Sequence, residues 1–181
     1  MMEDLSLHIL DLAENAISAG ATRIAIAVNE NERRDLLTVR VTDDGRGMTE
    51  GELERALDPF FTTKRKRTGL GLALLAQTAG LSGGNVVIDS APMRGTKVTA
   101  RFRYGHVDRP PLTKMAETMM MLVFGHPEID FRYRHRRNGR VFGFASLRFF
   151  EQPGAGPAWA PERIESVQKA LRAGLKRIGA S

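Results

Sequence analysis

The stretch LDLAENAISAGATRI, from Leu10 to Ile24, predicts a helix, its C-terminal end and the first strand of a sheet. Asp11 and Asn15 are spaced i and i+4, so on a helix they lie one above the other on the same face. Gly20 suits the position just after a helix, and the alternation in TRIAIAV is typical of a half-buried strand. The helix is supported by an apolar stripe: Leu7, Leu10, Leu12, Ala16, Ile17 and Ala19.

The composition excludes several classes of protein. The 181 residues suffice for one full domain and a small appendage, and the absence of Cys rules out disulfides, thiolate metal sites and a cysteine nucleophile. The acidic N-terminus MMEDLSLHIL lacks a long apolar segment, so it does not resemble a signal peptide. The longest apolar run, Met119–Phe124, is far shorter than the ~20 residues that span a bilayer. We therefore expect a soluble cytoplasmic protein without a membrane partner.

Basic residues are concentrated toward the C-terminus, and the formal net charge is +6. Residues 1–100 contain 12 Lys or Arg and 14 Asp or Glu, whereas residues 101–181 contain 15 and 7. Nucleic acid, an acidic protein surface and ordinary solubility each explain such an excess, and the composition does not choose between them.

Helix and strand signals follow the order αββα, a loop and αββ up to residue 104. The predicted elements are the first helix, strands at 23–29 and 36–42, a short helix that Thr49 and Glu52 cap, a buried helix at 70–81, and strands at 85–90 and 96–104. Residues 58–69 form a polar loop between the second and third helices. This order predicts an α+β fold, a two-layer α/β sandwich with a mixed sheet and helices on one face.

The two prolines of GHVDRPPL mark the best domain boundary, between residues 1–105 and 106–181. The second part predicts a small C-terminal αββα extension. Its two strands flank Asn138-Gly139, the strongest short hairpin signal, and Pro161 suits the start of an amphipathic helix.

Three further stretches carry chemistry beside the Asp11 and Asn15 pair. TDDGRGM (Thr42–Met48) places a carboxylate at a strand end, followed by two glycines that let the backbone approach a ligand closely. DPFFTTKRKRTGLGLAL (Asp58–Leu74) runs from a basic loop through Gly-x-Gly into a helix N-terminus, which favours phosphate binding. RGTKV (Arg94–Val98) is a third turn with glycine. Each stretch alone is weak evidence, but the four in this order are specific.

Together they resemble the GHKL ATPase superfamily, which includes the gyrase B subunit, a heat-shock chaperone, histidine kinases and the mismatch-repair protein MutL. ENAISAGAT is similar to the N-box of MutL, whereas DPFFTTK and TGLGLAL are similar to the F and G2 boxes of histidine kinases. The resemblance covers residues 5–103 and implies the Bergerat ATP-binding fold, with ATP and Mg²⁺ as ligands. The whole chain is also similar to short stand-alone bacterial ATP-binding proteins of this superfamily.

The resemblance assigns the recognition of the base to the first and third stretches. Asp43 would accept a hydrogen from the adenine amino group, and Thr96 would reach a water molecule beside Asp43. Gly45 and Gly47 would leave room for the purine, with Met48 and Leu72 as apolar walls.

The resemblance assigns the phosphates and the metal to the remaining residues. Asn15 would ligate Mg²⁺ through its side-chain oxygen. Lys64 would lie on a lid over the phosphates. The segment that would hold the phosphates through its amides comprises Thr68, Gly69, Leu70 and Gly71.

Asp11 departs from the pattern of MutL and gyrase, which have a Glu as general base at this position. The shorter side chain would place the carboxylate ~1 Å further from the attacking water, and such a misplacement can cost ~10²-fold in rate. Many histidine kinases have a carboxamide there instead. Asp11 is therefore a candidate catalytic residue with three open readings: a weak hydrolytic base, a residue beside the metal ligand, or a plain helix residue.

Three functions follow from the resemblance. The first, which we favour, is a signalling kinase or anti-sigma-type regulator that acts on a separate protein such as a receiver or a sigma factor. The second is a MutL-like ATPase switch coupled to nucleic acid, which the arginine-rich hairpin FRYRHRRNGRVFGF supports. The third is an ATP-dependent interaction module with little catalysis. His8 is expected in the core rather than as a phosphorylated residue, and pairing of two chains through the extension stays open.

Overall fold

The computed structural model describes residues 4–57, 71–150 and 157–180. Its elements follow the predicted order except that the last strand is followed by an unpredicted short helix, Leu147–Phe150. The helices are α1 (Leu5–Ser18), α2 (Glu50–Arg55), α3 (Gly71–Leu81), α4 (Met115–Gly125), α5 (Leu147–Phe150) and α6 (Pro161–Ile178). The strands are β1 (Arg23–Asn31), β2 (Leu36–Asp43), β3 (Asn85–Ser90), β4 (Thr96–Arg103), β5 (Asp130–Arg137) and β6 (Arg140–Ala145). A single 3₁₀ turn, Glu32–Arg34, joins β1 to β2.

Local signals account for several of these ends. Gly20, with φ +77°, follows α1 as the sequence predicts. Thr49 and Glu52 form the predicted capping box at the start of α2. Asn138 and Gly139 both have positive φ, 46° and 91°, which is the conformation that a two-residue hairpin turn of type I′ requires.

The six strands form one mixed sheet in the order β3-β4-β2-β1-β5-β6. All neighbours are antiparallel except β1 and β5, which run parallel. The hairpin β5-β6 therefore continues the sheet beyond β1 instead of forming a sheet of its own. The division into residues 1–105 and 106–181 remains a prediction, but the hydrogen-bonded sheet crosses it.

The four longer helices form a single layer on the sheet. α1 contacts α3 and α4, and α6 contacts α4 and the strand β6. Alternate residues of the strands are buried beneath this layer, among them Ile24, Ile26 and Val39. The predicted α+β two-layer sandwich with helices on one face is confirmed.

Asp4 connects the start of α1 to the segment that leads into α4. Its carboxylate caps α1 by accepting a hydrogen bond from the Ser6 N–H at 2.9 Å. The same carboxylate accepts two more from Thr113, at 2.9 Å from the backbone nitrogen and 2.6 Å from the hydroxyl. The C-terminal extension is thus connected to the first helix through Asp4 and Thr113, in addition to its connection to the first strand through the pairing of β5 with β1.

None of the helices within the described residues 4–57, 71–150 and 157–180 has the length and apolar character needed to cross a membrane.

Candidate functional site

The consecutive carboxylates Asp43 and Asp44, at the end of β2, have different surroundings. Asp44 accepts hydrogen bonds from the Thr22 N–H at 2.8 Å, the Thr22 hydroxyl at 2.7 Å and the Arg23 N–H at 2.9 Å. Although burial raises the pKa of Asp44, these bonds lower it overall. Asp44 therefore fixes the junction between α1 and β1.

Asp43 lies on the helix-covered side of the sheet, because it is two positions after the buried Val41 and every second residue of a strand shares a face. Its Oδ1 accepts a hydrogen bond from the Gly45 N–H at 2.8 Å. Burial raises the pKa of Asp43, while hydrogen bonds from the backbone of Gly45 and Thr96 oppose the rise. A partly buried acceptor with a fixed orientation is the chemistry needed to select one hydrogen-bond donor on a base.

Two glycines hold the turns around Asp43 in close contact. Gly47 has φ +67°, and a Cβ atom there would lie 1.9 Å from the carbonyl oxygen of Ala91. Gly95 has φ +72°, and a Cβ atom there would lie 1.9 Å from the carbonyl oxygen of Asp43 itself. Any other residue would displace the backbone at both places. The prediction that Gly47 leaves room for a purine is untested, but the protein's own packing already requires a glycine there.

Ser90 is a residue of this region that the sequence prediction missed. Its hydroxyl donates to the Gly95 carbonyl at 2.9 Å, accepts from the Met48 N–H at 2.9 Å and lies 2.9 Å from the Thr96 hydroxyl. It thereby joins the loop after β2 to the turn between β3 and β4. No motif in the sequence marks it, although its place at the end of NVVIDS, just before the RGTKV turn, is a signal that could have been used.

Gly45 brings the loop after β2 against the end of α1. A Cβ atom at Gly45 would lie 2.9 Å from the carbonyl oxygen of Ala19, and the same oxygen accepts a hydrogen bond from the Arg46 N–H at 2.9 Å. Ala19 in turn donates its N–H to the Asn15 carbonyl at 3.0 Å. The structure thus brings Asp43 and Asn15, which are 28 positions apart, to one end of the sandwich.

Asp11 and Asn15 lie on α1, where Asp11 is exposed and Asn15 is partly buried. Asp11 is next to the first residue of α3: a Cβ atom on Gly71 would lie 3.2 Å from the Asp11 Cβ and 3.4 Å from its Oδ2. A carboxylate near a helix N-terminus interacts favourably with the helix dipole. Leu72 follows on α3 and packs against the core. Asp11 is therefore a neighbour of the start of α3, and Asn15 lies one turn further along the same face of α1.

Four predicted phosphate-binding residues lie outside the described residues: Lys64, Thr68, Gly69 and Leu70. Within the described part of the chain, no group of three His, Cys, Asp or Glu side chains could hold a metal ion.

His8 is buried, with 7% of its surface exposed, as expected of a core histidine. A second buried histidine belongs to a network that the sequence did not suggest. His135 lies 2.6 Å from the Tyr133 hydroxyl through Nδ1 and 2.7 Å from Glu30 Oε1 through Nε2. This network links β5 to β1. Glu30 lies at the opposite end of β1 from Ile24, the residue that pairs with Asp43, so we assign the network to the packing of the extension.

Residues 3–106 match the model of the family described as histidine kinase-, DNA gyrase B-, and HSP90-like ATPase. Similar curated proteins include the sensor histidine kinase ZraS of Escherichia coli O157:H7, 35% identical over 52% of this chain and 21% of ZraS. The sensor protein kinase FleS of Pseudomonas aeruginosa is 42% identical over 50% of this chain and 23% of FleS. The chain spans about a fifth of the length of such relatives.

Among solved structures, the MutL ATPase domain of Aquifex aeolicus complexed with ADP matches with a TM-score of 0.53. The match covers 96% of this chain and 70% of that chain at 15% sequence identity. It supports the fold of the described residues, including the sheet that continues into β5 and β6.

Proposed function

Since this chain belongs to the family of histidine kinase-, DNA gyrase B- and HSP90-like ATPases, we propose that it binds Mg-ATP and acts on a separate protein as a signalling kinase or regulator. The observation that carries the proposal is the partly buried Asp43 carboxylate, held by Gly45 and by the turn at Gly95 on the same side of the sheet as α1. The remaining open question is what becomes of the bound nucleotide.

The described residues fit a nucleotide with its metal. Asp43 offers an oriented acceptor to the adenine amino group, and Met48 and Leu72 offer apolar surface to the ring. Asn15 offers a side-chain oxygen of the kind that Mg²⁺ prefers. When bound, Mg²⁺ would neutralise part of the phosphate charge. The protein's own contribution at that end is the face of α1 that carries Asp11 and Asn15.

The role of Asp11 separates an ATPase from a kinase or regulator. Its carboxylate lies beside the start of α3, which favours a role in positioning that helix over a role as general base. We therefore propose that the lone chain hydrolyses ATP slowly and that a partner protein determines the fate of the γ-phosphate. The similarity to sensor kinases over about half of the chain supports a separate protein partner, which we propose to be of the receiver or sigma-factor type.

Two alternatives keep support of their own. The MutL likeness extends over nearly the whole chain, so an ATPase switch coupled to nucleic acid is the second candidate. An ATP-dependent interaction module with little catalysis is the third. A cytoplasmic location and pairing of two chains remain predictions under each of them.

A single-turnover experiment with γ-labelled ATP and Mg²⁺ distinguishes these functions. We expect intact, bound ATP in the lone chain and no label on the protein. Addition of a cell extract from the source organism should give label on a second protein if the chain is a kinase. It should give a nucleotide-dependent complex without label if the chain is a regulator. Turnover that duplex DNA accelerates would instead favour the MutL-like switch, and fast turnover by the lone chain would contradict the proposal.

A further inference from the structure

The face of the sheet opposite the helices carries ordered rows of basic side chains. Along β5, Arg132, Arg134 and Arg136 are exposed and alternate with Phe131, Tyr133 and His135, which are buried. Because strand residues alternate between the two faces, the three arginines point away from the helix layer. Three basic residues of the C-terminal extension therefore lie in one line on this surface.

Cations from the first part of the chain complete the rows. The register aligns Arg134 with Ala27 of β1, and Ala27 with Arg40 of β2. One row further, Arg136 aligns with Asn29, Thr38 and then Arg101 of β4. In the third row, Arg132 aligns with Ala25, Thr42 and then Lys97. We name the surface that these six cations form the arginine face.

The arginine face has the shape of a shallow trough. Its floor consists of short side chains of β1 together with Thr38 and Thr42 of β2, and cations stand on either side of them. Adjacent strands are ~4.8 Å apart, so the two lines of cations are ~10–14 Å apart. Successive rows are ~6.7 Å apart along the strands.

Most of these cations are unpaired. Arg132 bonds Asp130 at 2.9 Å, and Lys97 pairs with Asp89. Arg40, Arg101, Arg134 and Arg136 are exposed and make no ion pair with any described residue. Four arginines of like charge on one surface repel one another, and a polyanion would relieve that repulsion.

The chemistry of the trough favours a phosphate backbone over a protein. Protein interfaces need large apolar or aromatic anchors, whereas phosphate contacts need arginines and short polar donors. Among the described residues of this face, the exposed large apolar side chains are Val87 and Val141, on the outermost strands. The aromatic rings of the hairpin are all buried on the other side: Phe131, Tyr133, Phe142 and Phe144.

Since no ring of the hairpin is available for base stacking, single-stranded bases gain little on this surface. We propose that the arginine face binds the phosphate backbone of double-stranded nucleic acid without reading its sequence. This inference does not depend on the proposed nucleotide site, which lies on the opposite side of the sheet.

The test measures binding of the full chain to a 30-base-pair DNA duplex by fluorescence anisotropy between 50 and 200 mM KCl. Four phosphate contacts predict that log Kobs falls with log[KCl] with a slope of about −3.6. Arg134→Gln with Arg136→Gln should reduce the slope by about 2 and the affinity at 0.1 M salt by about 60-fold. Arg40→Gln with Arg101→Gln should have the same effect, from strands β2 and β4.

The control, Lys169→Gln with Arg177→Gln, removes the same charge from exposed positions of α6 and should change the affinity less than about 2-fold. Equal losses in control and face variants would overturn the proposal, as would absence of binding by the unaltered chain at 50 mM KCl. If polyglutamate of equal charge displaced the duplex at the same concentration, the face would recognise acidic protein instead, which also overturns it. Mg-ATP binding is measured in every variant, so that a failure of the nucleotide site is seen separately.

Discussion

The two ends of the candidate site differ in how the protein builds them. Around Asp43, backbone contacts set the geometry: Gly47 and Gly95 fit against carbonyl oxygens, and Ser90 joins the two turns. Around Asn15, the described residues contribute two side chains, Asp11 and Asn15, on one face of α1, and Asp11 lies beside the start of α3. The difference teaches that, among the described residues of the proposed site, backbone contacts fix the end at Asp43, whereas side chains on α1 form the end at Asn15. We therefore expect a backbone change beside Asp43 to abolish binding and the loss of the Asp11 charge to preserve it.

The largest effect is expected from Gly95→Ala. The added methyl would lie 1.9 Å from the Asp43 carbonyl oxygen at a positive φ, so the turn must move and carry Asp43 with it. We expect a loss of at least about 3 kcal/mol in the free energy of unfolding and no measurable Mg-ATP binding. Urea denaturation and nucleotide titration test this. Gly80→Ala is the control, since nothing lies within 4 Å of its Cβ position in α3, and it should gain up to about 1 kcal/mol. A tolerated Gly95→Ala would refute the fixed-backbone explanation.

The next effect compares the neighbouring carboxylates. Asp43→Asn should weaken nucleotide binding by about 5- to 150-fold. The single amide oxygen would be occupied by the Gly45 N–H, so the NH2 group would face the donor on the base and leave it unpaired. Asp44→Asn should leave binding within a few-fold, but it should lower the free energy of unfolding by about 1 kcal/mol through its bonds to Thr22 and Arg23. Calorimetric titration and denaturation of both variants check this. If Asp44→Asn instead lost nucleotide affinity and Asp43→Asn lost only stability, Asp44 would be the carboxylate that binds the nucleotide.

A smaller effect is expected from pH. Because burial raises the pKa of Asp43 above 3.8, protonation begins at a higher pH than in an ordinary aspartate. Nucleotide affinity should fall by at most about tenfold per pH unit as the pH falls through this raised pKa. Stability changes in the opposite direction: the folded state holds the proton between 3.8 and the raised pKa, so the contribution of Asp43 to stability improves on acidification. Titrations from pH 7 downward should show a steeper fall in the unaltered chain than in Asp43→Asn, and parallel curves would exclude Asp43.

The smallest effect is expected at the other end of the site. Asp11→Asn keeps the size of the side chain beside Gly71, so Mg-ATP affinity and the slow single-turnover rate should each change less than about 3-fold. Glu14→Gln, on the same helix, is the charge-matched control. A hundredfold loss of hydrolysis in Asp11→Asn alone would instead make Asp11 a general base.

The sequence predicted what short-range chemistry determines. The end of α1 at Gly20, the capping box at Thr49 and the turn at Asn138-Gly139 all follow from residues within a few positions of each other. The pairing of β5 with β1 joins residues about 107 positions apart, and no local pattern encodes that register. The sequence alone predicts that the arginines of β5 lie on the exposed side of a hairpin. Their alignment with Arg40 and Arg101 depends on the long-range register of the sheet, so the structure is needed to see it. The resemblance selects Asp43 over Asp44, which stays a prediction, and the hydrogen bonds of Asp44 to Thr22 and Arg23 are consistent with it.

The parallel pairing of β5 with β1 also has a consequence for the order in which the chain is synthesised. Once β2 has paired with β1 and β4 has paired with β2, the other edge of β1 still has unpaired N–H and C=O groups. It keeps them until residues 130–137 have been synthesised and can pair with it. An open edge of this kind is a template for pairing with a second chain. A chain truncated near residue 105 would present that edge permanently. We therefore expect pairing of the hairpin with β1 to protect the newly made sheet from aggregation.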